Sequence, residues 1–152
     1  MSHQLPDPFI WNNEQWTLVG AEDIYSLFDP EKFGLSPTSP GTNCRKGFVF
    51  QLRVVDNELI LDWLMVYCEN NEYPPINGVT AEPCDFMGML AYKDINLKPD
   101  YSGVILIGQE LMPEFMRSAF TGPYSYDRTF ELKFENGKFV ESKDTSGSYS
   151  RF

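Results

Sequence analysis

Carboxylates are the one catalytic device in good supply in this chain. Glu69, Glu72, Glu82 and Asp85 flank or lie within one irregular stretch, ENNEYPPINGVTAEPCD (69–85), together with Tyr73. Glycoside hydrolysis needs only two carboxyl groups at a fixed separation across a sugar cleft, and an aromatic ring beside them offers a platform for the sugar. A solvated loop contains the same residue types, because carboxylates are mostly exposed. These five residues are the candidate binding site, and no catalytic residue is assigned among them.

Other chemistries have fewer parts to work with. Histidine, the usual general base and metal ligand, occurs once, as His3. A Ser-His-Asp or Cys-His arrangement needs an imidazole beside the nucleophile, so neither is expected. Zinc sites draw on Cys and His at short spacings. Cys44, Cys68 and Cys84 are scattered and form no CxxC pair, so no metal is expected. Three unpaired cysteines suit reduced thiols and a cytoplasmic protein better than a disulfide framework. Cys68 follows the strand-like Val66 and Tyr67 and reads as a buried thiol. Cys44 and Cys84 lie in or beside long loops, where either could be reactive. Neither GxGxxG nor GxxxxGK[ST] occurs, and no segment fits a calcium loop, so no cofactor is expected.

The segments that would hold such residues read mostly as strands. In GFVFQLRVVDNELILDWLMV (47–66), Asp56-Asn57 suits a two-residue type I′ turn. Val55 then faces Glu58 and Val54 faces Leu59. Continued outward, this register puts Phe48, Phe50, Leu52 and Val54 on one apolar face with Met65, Trp63, Leu61 and Leu59. The alternation itself selects that register. TFELKFENGKFVES (129–142) turns at Asn136-Gly137, the strongest hairpin dipeptide. There Phe134 pairs with Phe139, while Glu141 and Lys143 follow on the same face, so the return strand reads as short and near an edge. FIWNNEQWTLVG (9–20) turns near Asn12-Asn13. DFMGMLAYK (85–93) and SGVILIG (102–108) read as further strands, with INLKPDY between them as loop.

Helical spacing is limited to two places. Met112, Phe115, Met116, Ala119 and Phe120 predict a helix of two or three turns over 112–122, and AEDIYSLF (21–28) predicts one or two turns. Two long irregular stretches remain, 34–47 and 69–85, and loops of such length are often functional or mobile. No internal repeat or linker divides the chain.

The 152 residues fit one domain spanning 1–152, with flexible ends near 1–7 and 145–152. Twelve Phe, eight Tyr and three Trp favour sheet. The expected fold is mainly β, an antiparallel sheet that is strongly curved or forms a barrel or sandwich, with one or two short helices. No stretch of 18 apolar residues could span a membrane, and MSHQLPDPF lacks the features of a secretory leader. The formal net charge of −10 repels nucleic-acid phosphates and anionic lipid, so neither is an expected partner. Arg45, Lys46, Phe48, Phe50 and Arg53, the nearest approach to a basic-aromatic patch, read as surface charges beside a core strand.

These features favour a non-catalytic protein over an enzyme. The main expectation is an acidic protein-binding module, like an immunity or inhibitor protein in composition, acting on a basic partner. The alternative is a small-molecule-binding β-barrel or a carboxylate-dependent hydrolase. A homodimer through an open sheet edge is a further option.

Overall fold

Three dipeptides with left-handed backbone set three tight hairpins. Asn12 and Asn13 (φ 56° and 62°) join β1 (Pro8–Trp11) to β2 (Glu14–Ala21). Asp56 and Asn57 (φ 50° and 62°) join β3 (Phe48–Val55) to β4 (Glu58–Val66). Asn136 and Gly137 (φ 51° and 77°) join β8 (Tyr126–Glu135) to β9 (Lys138–Asp144). Positive φ at both central residues gives the type I′ twist that matches the twist of the flanking strands. Between these hairpins lie the two-residue β5 (Glu82–Pro83), β6 (Leu90–Leu97) and β7 (Gly103–Leu111). The computed structural model describes residues 4–115 and 122–148.

The fold is mainly β, as the composition requires, and all nine strands belong to one sheet in the order β3-β1-β2-β7-β8-β9-β4-β6-β5. β3 also pairs with β4 along its whole length, so the order returns on itself and the sheet curls into a ring. The junction between β9 and β4 is one residue pair, Glu58 opposite Lys138. Two backbone bonds of 2.8 Å flank it, Leu59 N–H to Gly137 O and Phe139 N–H to Asn57 O. One pairing is parallel: β1 lies against β3 with Phe9 opposite Leu52. The sheet is therefore mixed, where an antiparallel one was expected. Asp7 keys this pairing, because its carboxylate accepts the Phe50 N–H (3.1 Å) and bonds the Lys46 ammonium.

The centre of the ring is filled. Phe9, Phe50, Leu52, Leu61, Leu64, Tyr92, Ile105 and Phe134 are at most 1% exposed and belong to one core. Tyr92 and Tyr101 meet their polar obligation inside it. Tyr92 donates to Pro74 O (2.7 Å), and Tyr101 donates to Val104 O (2.9 Å).

The hairpin register differs from the expected one beyond Leu52. Val55–Glu58, Val54–Leu59, Arg53–Ile60 and Leu52–Leu61 pair as the turn dictates, but then Gln51 meets Trp63 and Phe50 meets Leu64. Asp62 is an extra residue on β4, a bulge, and it inverts the facing of everything after it. Phe50 therefore points into the ring while Trp63 and Met65 stand on the outer face, packed around Val49, Cys44 and Met89. Phe50 and Trp63 do not share a face. A second bulge, between Lys133 and Phe134 in the pairing, adds Val140 to β9. Glu141 and Lys143 consequently lie opposite Lys133 and Glu131, not on the Phe139 face.

Two element boundaries also move. The strand expected at 85–93 begins at Leu90 and runs through Leu97, so INL belongs to β6. Of the segment 112–122 expected as a helix, Pro113–Phe115 form one 3-10 turn, and residues 116–121 lie outside the described residues. The helix expected in 21–28 is present as α1 (Ile24–Leu27), followed by a 3-10 turn at Pro30–Phe33. Described residues near both ends hydrogen-bond the body of the chain. Leu5 N–H bonds Asn43 O (2.8 Å), and Thr145 is buried with its hydroxyl 2.7 Å from that of Thr129.

Candidate functional site

The turn after α1 is built by its own residues. The Asp29 carboxylate accepts the Glu31 N–H (3.1 Å), Pro30 supplies a fixed φ at the first position, and Gly34 (φ 76°) ends the turn in the left-handed conformation. This segment and the irregular 34–47 stretch face β3 across a cleft of about 740 Å³. That volume lies in the range of ligand pockets.

The floor of the cleft is aromatic. Phe28, Phe48 and Phe50 have ring centroids 5.7 Å (28 to 48), 6.0 Å (28 to 50) and 6.2 Å (48 to 50) apart. Leu35 lines it from the loop, and Ile24 and Tyr25 rise at the rim, with Tyr25 66% exposed. The Lys46 ammonium sits 4.8 Å from the Phe48 centroid and 5.0 Å from that of Phe50, within cation–π range. Its charge is countered by Asp7. Burial pushes the Asp7 carboxyl above its ordinary pKa, against the opposing pull of Lys46 and the Phe50 N–H. The remaining charged groups lining the cleft are Asp29 and Glu31, and neither joins an ion pair among the described residues. The cleft is thus greasy at its floor and negative at its lip.

A second cleft, about 410 Å³, opens on the outer face. Trp63 forms a wall, with Gln51, Arg53, Asp62, Lys93 and Asp94 around it. Arg53 Nε lies 2.6 Å from Asp62 Oδ2, and Gln51 donates to Asp62 Oδ1 (3.2 Å). The Asp62 bulge brings these groups together, and Asp94 (φ 55°) turns in at an irregularity of β6.

The five candidate residues of the 69–85 stretch are not gathered into either cleft. Glu69, Glu72, Glu82 and Asp85 are exposed, and Glu82 lies in the short β5. Tyr73 is half-buried and its hydroxyl serves the backbone, accepting Cys68 N–H (2.8 Å) and donating to Cys68 O (3.3 Å). Burial raises the Tyr73 phenol above its usual pKa. Cys44 and Cys68 are buried, and burial pushes both thiols up. Cys84 is half-buried with its sulfur 3.1 Å from Met89 O. Among the described residues, no group of three or more His, Cys, Asp or Glu converges to hold a metal ion, and no helix is long and apolar enough to cross a membrane.

The residues of the main cleft come from 24–37 and 46–50, so the signal in the sequence was the set of Phe28, Phe48 and Phe50 on either side of the 34–47 stretch. Comparison of the chain with family models, curated proteins and solved structures finds no match to any of them.

Proposed function

We propose that the protein is a non-catalytic binding module that takes a basic segment of a partner protein in the cleft beside α1. The observation that carries this reading is the pairing of an aromatic floor with a lip whose acids, Asp29 and Glu31, join no ion pair among the described residues. An apolar side chain of the partner packs on the floor formed by Phe28, Phe48 and Phe50, and a neighbouring Lys or Arg meets the lip. A net charge of −10 adds long-range attraction for such a partner. Exposed tyrosine at the rim fits the enrichment of that residue at binding hot spots.

Panning a library of random short peptides on the immobilised protein tests the proposal. Enriched peptides are expected to carry an apolar or aromatic residue next to Lys or Arg, and to lose affinity as salt is raised. Tyr25→Ala and Glu31→Lys, both at exposed positions, are each expected to weaken binding about tenfold, the scale of a modest hot spot. Peptides that bind these variants and the parent alike, or that bind regardless of salt, overturn the reading.

The alternative, small-molecule binding, has one observation in its favour: the outer cleft walled by Trp63 with an Arg53–Asp62 pair and Lys93. A ligand there would sit outside the ring, because the interior is occupied by side chains.

A further inference from the structure

The three tryptophans of the chain meet different surroundings. Trp11 and Trp16 pack on Phe130, with ring centroids 5.1 and 5.4 Å apart, and the Arg128 guanidinium lies over Trp16 at 5.1 Å. Trp63 has neither a ring nor a cation against its face among the described residues, and its indole N–H makes no hydrogen bond among them. It rests on the apolar cluster around Val49, Met65 and Met89 and lines the outer cleft of about 410 Å³. An indole without a partner at the wall of a cleft is a surface open to a ligand.

The groups around Trp63 are placed by strand pairing. Gln51 in β3 and Lys93 in β6 lie directly opposite it on either side, so the three side chains form one row across the outer face. Arg53 stands two residues on from Gln51 and shares its face. Asp62, the bulged residue, is held between these two. Its Oδ2 lies 2.6 Å from Arg53 Nε, and its Oδ1 accepts from Gln51 Nε2 at 3.2 Å. Carboxylate and guanidinium are thereby fixed before any ligand arrives. The terminal nitrogens of Arg53, the Lys93 ammonium and the Asp94 carboxylate have no hydrogen-bond or further ion-pair partner among the described residues. Asp94 is delivered by left-handed backbone (φ 55°), where β6 carries extra residues against β4.

From this arrangement we propose that the outer cleft binds a neutral saccharide, with one sugar ring stacked on Trp63. This names the ligand class for the small-molecule reading of that cleft, and it rests on that reading. The cleft holds two cations, Arg53 and Lys93, and two carboxylates, Asp62 and Asp94, so its charges balance. A simple anion bound there meets both carboxylates and the net charge of −10 of the chain, and a simple cation meets Arg53 and Lys93. A wholly apolar ligand strips water from the charged groups and returns no hydrogen bonds. A sugar avoids all three penalties. The C–H face of its ring is apolar and weakly positive, and it suits the negative face of an indole. Its hydroxyls each donate and accept, so one ring edge can accept from Arg53 and Lys93 and donate to Asp94. No bond of the sugar is made or broken.

Nuclear magnetic resonance of the isotope-labelled full-length chain tests the proposal. The Trp63 indole N–H is assigned from Trp63→Phe and followed while lactose, cellobiose, maltose and chitobiose are each titrated in, with inorganic phosphate and adenosine monophosphate as comparison ligands. A disaccharide is expected to shift the Trp63 resonance saturably and to leave those of Trp11 and Trp16 in place. Its affinity is expected to be the same at low and high salt, since a neutral ligand gains nothing from long-range charge. Lys93→Ala and Asp94→Gly, the second suited to the left-handed position, are each expected to weaken binding about fivefold, the scale of one hydrogen bond. Both variants are expected to melt within a few degrees of the parent. Tyr25→Ala, in the peptide cleft, is expected to leave sugar binding unchanged. Phosphate or the nucleotide shifting Trp63 when no sugar does would overturn the saccharide and keep a small-molecule site. A Trp63 resonance that no ligand moves would overturn both. Sugar affinity equal to the parent's in both Lys93→Ala and Asp94→Gly would place the sugar outside this cleft and overturn the proposal as well.

Discussion

Asp7 is the residue on which pH should act most visibly. Burial holds its carboxyl above the usual range although Lys46 and the Phe50 N–H both stabilise the ionised form. The unfolded chain offers it a pKa of about 3.9. With the folded value higher, the folded state binds the proton more tightly between the two. The stability Asp7 contributes is therefore full below the unfolded value and is lost as pH rises through the folded one. Glu58 is held low by hydrogen bonds from Lys138 and then Lys98, and Asp144 by its bonds to Ser146, so these two contribute with the opposite sign. Asp7→Asn keeps an acceptor for the Phe50 N–H and removes one titration. Parent and variant compared by urea unfolding from about pH 4 upward should show the parent losing ground to the variant as pH increases. A constant difference between them would refute the assignment. Nothing in the sequence marks Asp7, which lies among residues that read as a flexible end. Its role depends on Phe50 and Lys46, which only the parallel β1–β3 pairing brings close. The acids of the 69–85 stretch present the converse case: four carboxylates near in sequence, each left on the surface.

Turns were legible at the level of elements and bulges were not. Asn12-Asn13, Asp56-Asn57 and Asn136-Gly137 announce their hairpins because few residues tolerate positive φ. A bulge leaves no such mark, since one extra residue only inverts the alternation downstream. Around Asp62 the unbulged register looked complete because it kept the first strand's phenylalanines opposite Trp63 and Met65. The observed pairing sets Phe50 opposite Leu64 and leaves Asp62 beside Arg53 and Gln51. Pro99 and the polar residues of INLKPDY likewise made part of β6 read as loop, where the strand passes through left-handed Asp94 and Asn96. The turns themselves can be tested by a pair of substitutions. A Cβ on Gly137 would lie 2.6 Å from Pro99 O at a φ of 77°, so Gly137→Ala is expected to lower stability by about 1–3 kcal/mol. Asn57→Gly, at a φ of 62°, trades mild backbone strain for a more flexible unfolded chain and should stay within about 0.5 kcal/mol of the parent. Chemical denaturation of the two variants checks both; equal losses would mean that turn conformation does not control these hairpins.

For the molecule as a whole, the aromatic-rich composition and the hairpins indicated a curved sheet, but not the pairings that close it. Closure depends on two contacts between residues far apart in the chain: β1 against β3, and the β3–β4 turn against the β8–β9 turn. The first is supported along its edge by Asp7, and both of its strands feed the core. The second is one residue pair with two backbone bonds, joined on the surface by Glu58 between Lys138 (2.9 Å) and Lys98 (3.2 Å). Exposed ion pairs of this kind add little and are screened by salt. β9 itself is exposed at every residue except Phe139, which is half-buried. Opening the ring should therefore begin there, as a local event below the free energy of global unfolding. Native-state hydrogen exchange is expected to show the Leu59 and Phe139 amides, whose bonds cross the junction, exchanging well before the Leu52 and Leu64 amides of the β3–β4 hairpin. Raising the salt concentration or introducing Glu58→Gln should widen that gap. Protection of Phe139 equal to that of Leu64 under all these conditions would mean that the single pair closes a rigid barrel, with the filled core and not the junction deciding how the sheet opens.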